Sequence, residues 1–180
     1  MIPPIKTCLQ LMDRYGMLEN IKDHSIVVAK VACLIARGLH KAGEDISITK
    51  TVAAALLHDI GKTESLKFGG NHSEIGRSIC LENHLDEIAG IIAEHVVLRD
   101  PSLEGGCSET EIIFYADKRV NHDQVVTLEE RLAYILKRYG RNQAALCHAI
   151  RLNFELCSKV EKKLFMKLDF QPTALADIIR

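Results

Sequence analysis

The stretch Leu56-Leu57-His58-Asp59-Ile60-Gly61-Lys62 decides how the rest of the chain is read. It closes an apolar helical run, Val52 to Leu57, on a histidine and an aspartate standing side by side. Neighbouring residues on a helix point about 100° apart. Two adjacent ligands can therefore hold one ion only by flanking it, with other elements closing the far side. The pair predicts that further buried polar groups converge on it from elsewhere in the chain.

Outward from this stretch the pattern is helical. Ile5 to Tyr15 reads as a short amphipathic helix stopped near Gly16, Lys22 to His40 as a longer one ending around Gly43, and Ile48 to Asp59 as the apolar helix just quoted. Gly61 to Gly70 reads as a loop, of which Thr63 to Gly70 is either a lid or specificity loop or an ordinary connection. Asn71, with Glu74 three residues on, is an N-cap for a helix to about Asn83, and Asp86 to Leu98 forms another. Pro101 and Gly105-Gly106 make Arg99 to Cys107 a loop. Capping boxes at Ser108–Glu111 and Thr127–Glu130 open helices to about Asn121 and Tyr139. Gln143 to Leu168 is a long helix with Leu146, Ile150, Asn153, Leu156, Val160 and Leu164 on one side. Lys159, Lys162 and Lys163 read as its solvated face. Pro172 precedes a short C-terminal turn, and period-two alternation is not sustained anywhere. The expected fold is an all-α bundle of roughly eight helices in a single domain, 1–180.

Composition narrows the function. With 180 residues the chain can bury a core without staples. Lysine and arginine number 23 against 24 acidic residues, and no basic stripe marks a nucleic-acid footprint. The 6 cysteines form no C-x-x-C pair and read as small buried hydrophobes of a reducing compartment. Pro3-Pro4 stands where a signal peptide needs apolar residues, and no apolar run approaches the ~20 residues of a membrane span. The expectation is a cytoplasmic protein without membrane contact, whose long C-terminal helix offers a surface for a homodimer.

Of 8 histidines, four join two aspartates at positions where a hydrophobe belongs. His24 continues the stripe of Val27, Val28, Val31 and Ile35, and His95 follows Ile88, Ile91 and Ile92 by one turn. His72 leads into Ile75 and Ile79. Asp117 lies between Ile113 and Val120, with no lysine or arginine one helical turn away. A lone buried carboxylate costs several kcal/mol unless something pairs with it, and a metal ion would. Any single buried histidine has an ordinary explanation as a hydrogen-bonded core residue. Six inward polar groups that are all His or Asp are different, because mixed imidazole and carboxylate ligands suit iron, manganese, nickel or zinc. His40, His84, His122 and His148 lie at helix ends or off the stripes and are set aside. Lys118 and Arg119 read as surface charges and Asn121 as a group supporting Asp117.

With these positions in hand, the chain resembles the HD superfamily of metal-dependent phosphohydrolases, in its HDIG subgroup. The family pattern of a histidine, a His-Asp pair and a distal aspartate is matched by His24, His58-Asp59 and Asp117, and His58-Asp59-Ile60-Gly61 matches the subgroup's string. His72 and His95 fill the two further positions of the two-metal members. The resemblance covers about 22–121; the C-terminal helices, 127–180, lie outside it. It implies an all-α fold around two divalent metal ions, with Asp59 as the bridging ligand, and hydrolysis of a phosphate ester or anhydride by a metal-activated water.

The layout looks most like the diadenosine tetraphosphate hydrolases, which implies a small-molecule substrate, a nucleotide or dinucleotide. Ser73 stands where those enzymes commonly carry glycine, and the GYP signature of cyclic-dinucleotide phosphodiesterases is absent. Lys62, three residues beyond Asp59, is the candidate for gripping a phosphate. Two alternatives belong to other classes: a signalling or binding module that kept the fold without chemistry, and an oxygenase using an iron pair. Retention of all six ligands speaks against the first, and iron content with a visible spectrum separates the second.

Overall fold

The computed structural model describes residues 1–99, 101, 103–140 and 143–179. Helices α1 (Ile5–Arg14), α2 (Glu19–Lys41), α3 (Ile48–Leu57), α4 (Lys62–Phe68), α5 (His72–Glu82), α6 (Asp86–Glu94) and α7 (Glu109–Lys118) come first. A hairpin of β1 (Val120–Asn121) and β2 (Gln124–Val125) follows, then α8 (Leu128–Tyr139), α9 (Ala144–Phe165), a 3-10 turn (Pro172–Ala174) and α10 (Leu175–Ile179). The all-α expectation holds, with ten α-helices among the described residues rather than eight.

Helix α3 is the centre. Ala53, Ala54, Ala55, Leu56 and Leu57 are all buried, so it is apolar all round, the pattern of a helix wrapped by others. Its alanines let α2 approach closely, and α1, α6 and α7 complete the sheath. The buried apolar cluster runs from Cys8 to Leu175. Among the described residues no helix is long and apolar enough to cross a membrane.

Several local expectations are corrected. Lys62–Phe68 is helical, not a loop, because Gly61 has helical backbone angles and the chain re-enters a helix at once. Gly61 is needed for close approach rather than for an unusual turn: a Cβ there would lie 2.4 Å from the His72 carbonyl oxygen and 2.6 Å from the Gly76 nitrogen. Helix α6 ends at Glu94, earlier than predicted, with His95 as its C-cap. Helix α7 stops at Lys118, and the following β-branched stretch pairs as a hairpin, Val120 opposite Val125, turned through His122 at φ 54°. Both predicted capping boxes form, at Ser108–Glu111 and Thr127–Glu130. In the predicted loop before α7, positions 100 and 102 lie outside the described residues.

Lys163 does not belong to a solvated face. It is buried, and its Nζ lies 2.7 and 2.9 Å from the two Glu111 carboxylate oxygens. Helix α9 turns Phe154, Cys157, Val160, Lys163, Leu164 and Phe165 inward, so the buried stripe is rotated from the predicted one and Leu146 is exposed.

Candidate metal centre

Two of the predicted histidines sit where helices end. His58 caps α3 and His95 caps α6, and in each the ring Nδ1–H donates to the carbonyl three residues back: Ala55 at 2.7 Å and Ile92 at 2.6 Å. The last carbonyls of a helix lack an intrahelical donor, so each ring supplies one. His24, midway along α2, is held by the hairpin turn, its Nδ1 lying 2.9 Å from the His122 carbonyl oxygen. A carbonyl can only accept, so each of the three rings donates from Nδ1 and turns its Nε2 inward, where it can serve as a metal ligand when an ion is bound.

Those ring nitrogens meet the carboxylates. Asp117 Oδ1 lies 3.1 Å from His24 Nε2 and 3.7 Å from His58 Nε2. Asp59 divides its two oxygens. Oδ2 lies 3.6 Å from His58 Nε2, while Oδ1 lies 3.3 Å from His72 Nε2 and 3.6 Å from His95 Nε2. Two groups with metal-binding geometry result, His24–His58–Asp59 and Asp59–His72–His95, and Asp59 belongs to both. His72 Nε2 is 3.2 Å from His95 Nε2, a spacing that suits two ligands of one ion better than two bare lone pairs facing each other.

The donor set fits metal on an observation independent of any likeness. His58 is fully buried, and its Nε2 is one of two buried side-chain polar atoms without a hydrogen-bond partner among the described residues. An unsatisfied buried acceptor costs roughly 1–3 kcal/mol, and a cation at that point removes the cost. All six predicted ligand residues are thus brought to one place.

Electrostatics prepare the same state. Burial alone would raise Asp59, but His58, Lys62 and His95 outweigh it and hold the carboxyl well below the usual range. Asp117 is likewise held low, against its burial, by His24, Lys118 and His58. Burial pushes the His58 and His72 imidazoles down to about 4, against the pull of Asp59. Lys62 donates to both Asp59 oxygens, at 3.1 and 3.3 Å. Burial would lower its pKa, but Asp59 and Asp117 raise it and keep the ammonium charged.

A pH dependence follows. Between the ordinary histidine value of 6.5 and about 4, the unfolded chain binds protons that folded His58 and His72 refuse. Metal-free protein is therefore most stable above pH 6.5 and loses stability as pH falls toward 4, by a few kcal/mol, roughly 10 °C in Tm. Thermal melts across this range should show the slope; a flat profile from pH 7 to 4.5 would contradict neutral buried imidazoles.

The sequence reading missed the support around Asp117. Lys118 is buried rather than exposed: its Nζ donates to the His95 carbonyl at 3.1 Å and to that of Phe114 at 3.2 Å, and lies 4.0 Å from Asp117 Oδ2. It ties the end of α6 to α7 behind the ligands. Arg119 is also buried, bonded to the Tyr115 hydroxyl, Glu161 and the carbonyls of Val126 and Pro172. Asn121 does not support Asp117; its carboxamide oxygen accepts from Arg131 at 2.9 Å. The signal available in advance was position, since both cations follow Asp117 directly in an apolar helix. Ser73 is buried, its hydroxyl donating to Asn71 Oδ1 at 2.8 Å.

The chain is similar to several known proteins. It is 26% identical to an uncharacterized protein of Methanocaldococcus jannaschii over 151 residues, 77% of this chain and 88% of that one. It is 28% identical to ribonuclease Y of Wolinella succinogenes, covering 92% of this chain but 34% of that protein. Ribonuclease Y of Pseudothermotoga lettingae is 34% identical over 110 residues, 61% of this chain and 19% of the relative. The chain thus spans about a third or less of these ribonucleases. No solved structure matches it. The HD domain family matches residues 21–121, the segment that supplies His24, His58, Asp59, His72, His95 and Asp117, and the chain belongs to that family.

Proposed function

We propose that this protein is a metal-dependent phosphohydrolase that holds two divalent transition-metal ions, iron, manganese, nickel or zinc, and acts on a phosphoester or phosphoanhydride of a nucleotide or dinucleotide. The observation that carries the reading is the division of Asp59 between two histidine groups, His58 on one oxygen and His72 with His95 on the other. His24, His58, Asp59 and Asp117 surround one position, and Asp59, His72 and His95 the other. When bound, the ions supply an acidified water and neutralise charge on the phosphoryl oxygens.

The protein's own groups do the rest. Three carbonyl-anchored imidazoles keep their inward ring nitrogens fixed, so no reorganisation is needed when substrate arrives. Lys62, a third exposed and held against Asp59, is placed to take a phosphoryl oxygen without leaving the site. Phosphoryl transfer needs mainly positioning and charge stabilisation, and this arrangement provides both.

The name of the ribonuclease relatives favours a phosphodiester as a second substrate class. The test is metal analysis of the purified protein, then a hydrolysis panel of nucleotides, dinucleotides and a short oligoribonucleotide. Metal-dependent product release from a nucleotide or dinucleotide is expected. Turnover of the oligoribonucleotide alone would move the substrate to RNA, and no turnover of any member with metal bound would overturn the reading.

A further inference from the structure

The segment that leaves α6 carries His95, and it has little backbone structure to hold it. His95 is buried while Val97 is exposed. Among the described residues no backbone–backbone hydrogen bond holds Val96, Val97 or Leu98. Two side chains from distant helices hold the segment instead. The Lys118 ammonium, on α7, donates to the His95 carbonyl at 3.1 Å. The carboxamide of Asn153, half-buried on α9, donates to the Val96 carbonyl at 2.9 Å. These carbonyls are consecutive, so both peptide planes that follow the His95 Cα are gripped. The Arg99–Glu74 pair further on is exposed and contributes little by comparison.

Helix α9 is itself fixed to α7. Glu161 accepts from the Tyr115 hydroxyl at 2.6 Å and from Arg119 at 3.2 Å, and Lys163 pairs with Glu111. Asn153 lies about two helical turns before Glu161. The later half of α9 thus grips the helix that carries Asp117, while Asn153 reaches the end of the helix that carries His95. The family match stops at residue 121, so α9 lies wholly outside it.

We propose that Asn153 is a positioning residue for His95, and that α9 is a brace completing the Asp59–His72–His95 group from outside the family's matched segment. The Nδ1 bond to Ile92 orients the His95 ring only while the His95 backbone stays in place. Without Asn153 the chain after His95 can turn about Val96, and the ring Nε2 loses its alignment with Asp59 Oδ1, 3.6 Å away. Groups that hold a metal ligand from behind commonly set its affinity for the ion. His24, His58 and Asp117 are held by other contacts, so the brace acts on one ion and not on both. This assignment rests on the reading of two metal positions and gives the C-terminal helix a role in one of them.

The test is calorimetric titration of the metal-free full chain with manganese(II) alone. The binding step lost in His95→Ala identifies the ion of the Asp59–His72–His95 group. Asn153→Leu, similar in shape but without a donor, should weaken that step roughly tenfold and leave the other within about twofold. Asn153→Gln keeps an amide within reach of the carbonyl and should return the step to within about threefold of wild type. Lys159→Gln, at an exposed position of the same helix, should change neither step. Asn153→Ser, too short to reach Val96, gives the same comparison if the leucine variant does not fold. The proposal is overturned if loss of the Asn153 amide leaves both steps as in wild type, or weakens both alike, the mark of a general loss of packing. Selective weakening in a protein that hydrolyses no substrate would uphold the brace and remove only the hydrolytic reading. A wild type that takes up one ion or none would overturn the two-ion reading itself, and the brace with it.

Discussion

Replacing Asp59 with alanine should abolish hydrolysis, by at least about four orders of magnitude in kcat, and strip the protein of most of its metal. The reason is geometric. Every other ligand stands in one of the two groups, whereas Asp59 places an oxygen in each. Removing it takes one ligand from each group and one of the two carboxylates, Asp59 and Asp117, that would offset the charge of bound metal. The fold should survive, because Lys62, the partner of Asp59, reaches solvent and is not left as a buried unpaired charge. Elemental analysis, steady-state kinetics and a thermal melt on one preparation test this. Retained metal with more than about one percent of turnover would show that the two groups do not depend on a shared carboxylate.

Lys163→Ala should cost stability rather than chemistry, by about 3–5 kcal/mol, or roughly 10 °C in Tm. The substitution strands the Glu111 carboxylate, which is buried against α9 and gains its countercharge from Lys163 through contacts of 2.7 and 2.9 Å. Glu111 also accepts from the Ser108 backbone nitrogen in the capping box that starts α7, the helix bearing Asp117. A double variant, Lys163→Met with Glu111→Gln, should recover much of the loss: the glutamine oxygen keeps the cap, and no charge remains buried. Urea unfolding of the two single variants and the double gives the coupling between them. A loss below about 1 kcal/mol for Lys163→Ala would be that of an exposed pair and would contradict the burial.

The candidate metal ligands were legible because burial and polarity conflict. His24, His95 and Asp117 interrupt stripes of valine and isoleucine, and an interruption made only of imidazole and carboxylate has few physical explanations. The helix caps were legible for a similar reason, since Ser108, Thr127 and Asn71 accept bonds from amides within three residues. Lys163, Lys118 and Arg119 were misread because a long basic side chain buried beside a distant partner resembles a solvated one in sequence. Glu111 lies 52 residues from Lys163, and the His95 carbonyl, one of the two that take Lys118, lies 23 residues away.

By itself, then, the sequence determined the helical class, the caps and the identity of six inward polar residues, all of which depend on local periodicity and short-range hydrogen bonds. Only the tertiary structure decided which oxygen of Asp59 faces which histidine, which ring nitrogen each histidine turns inward, and that the turn between β1 and β2 holds His24. Those features depend on carbonyls and side chains contributed by segments remote in the chain, such as His122 for His24, and their placement is set by packing rather than by the order of residues.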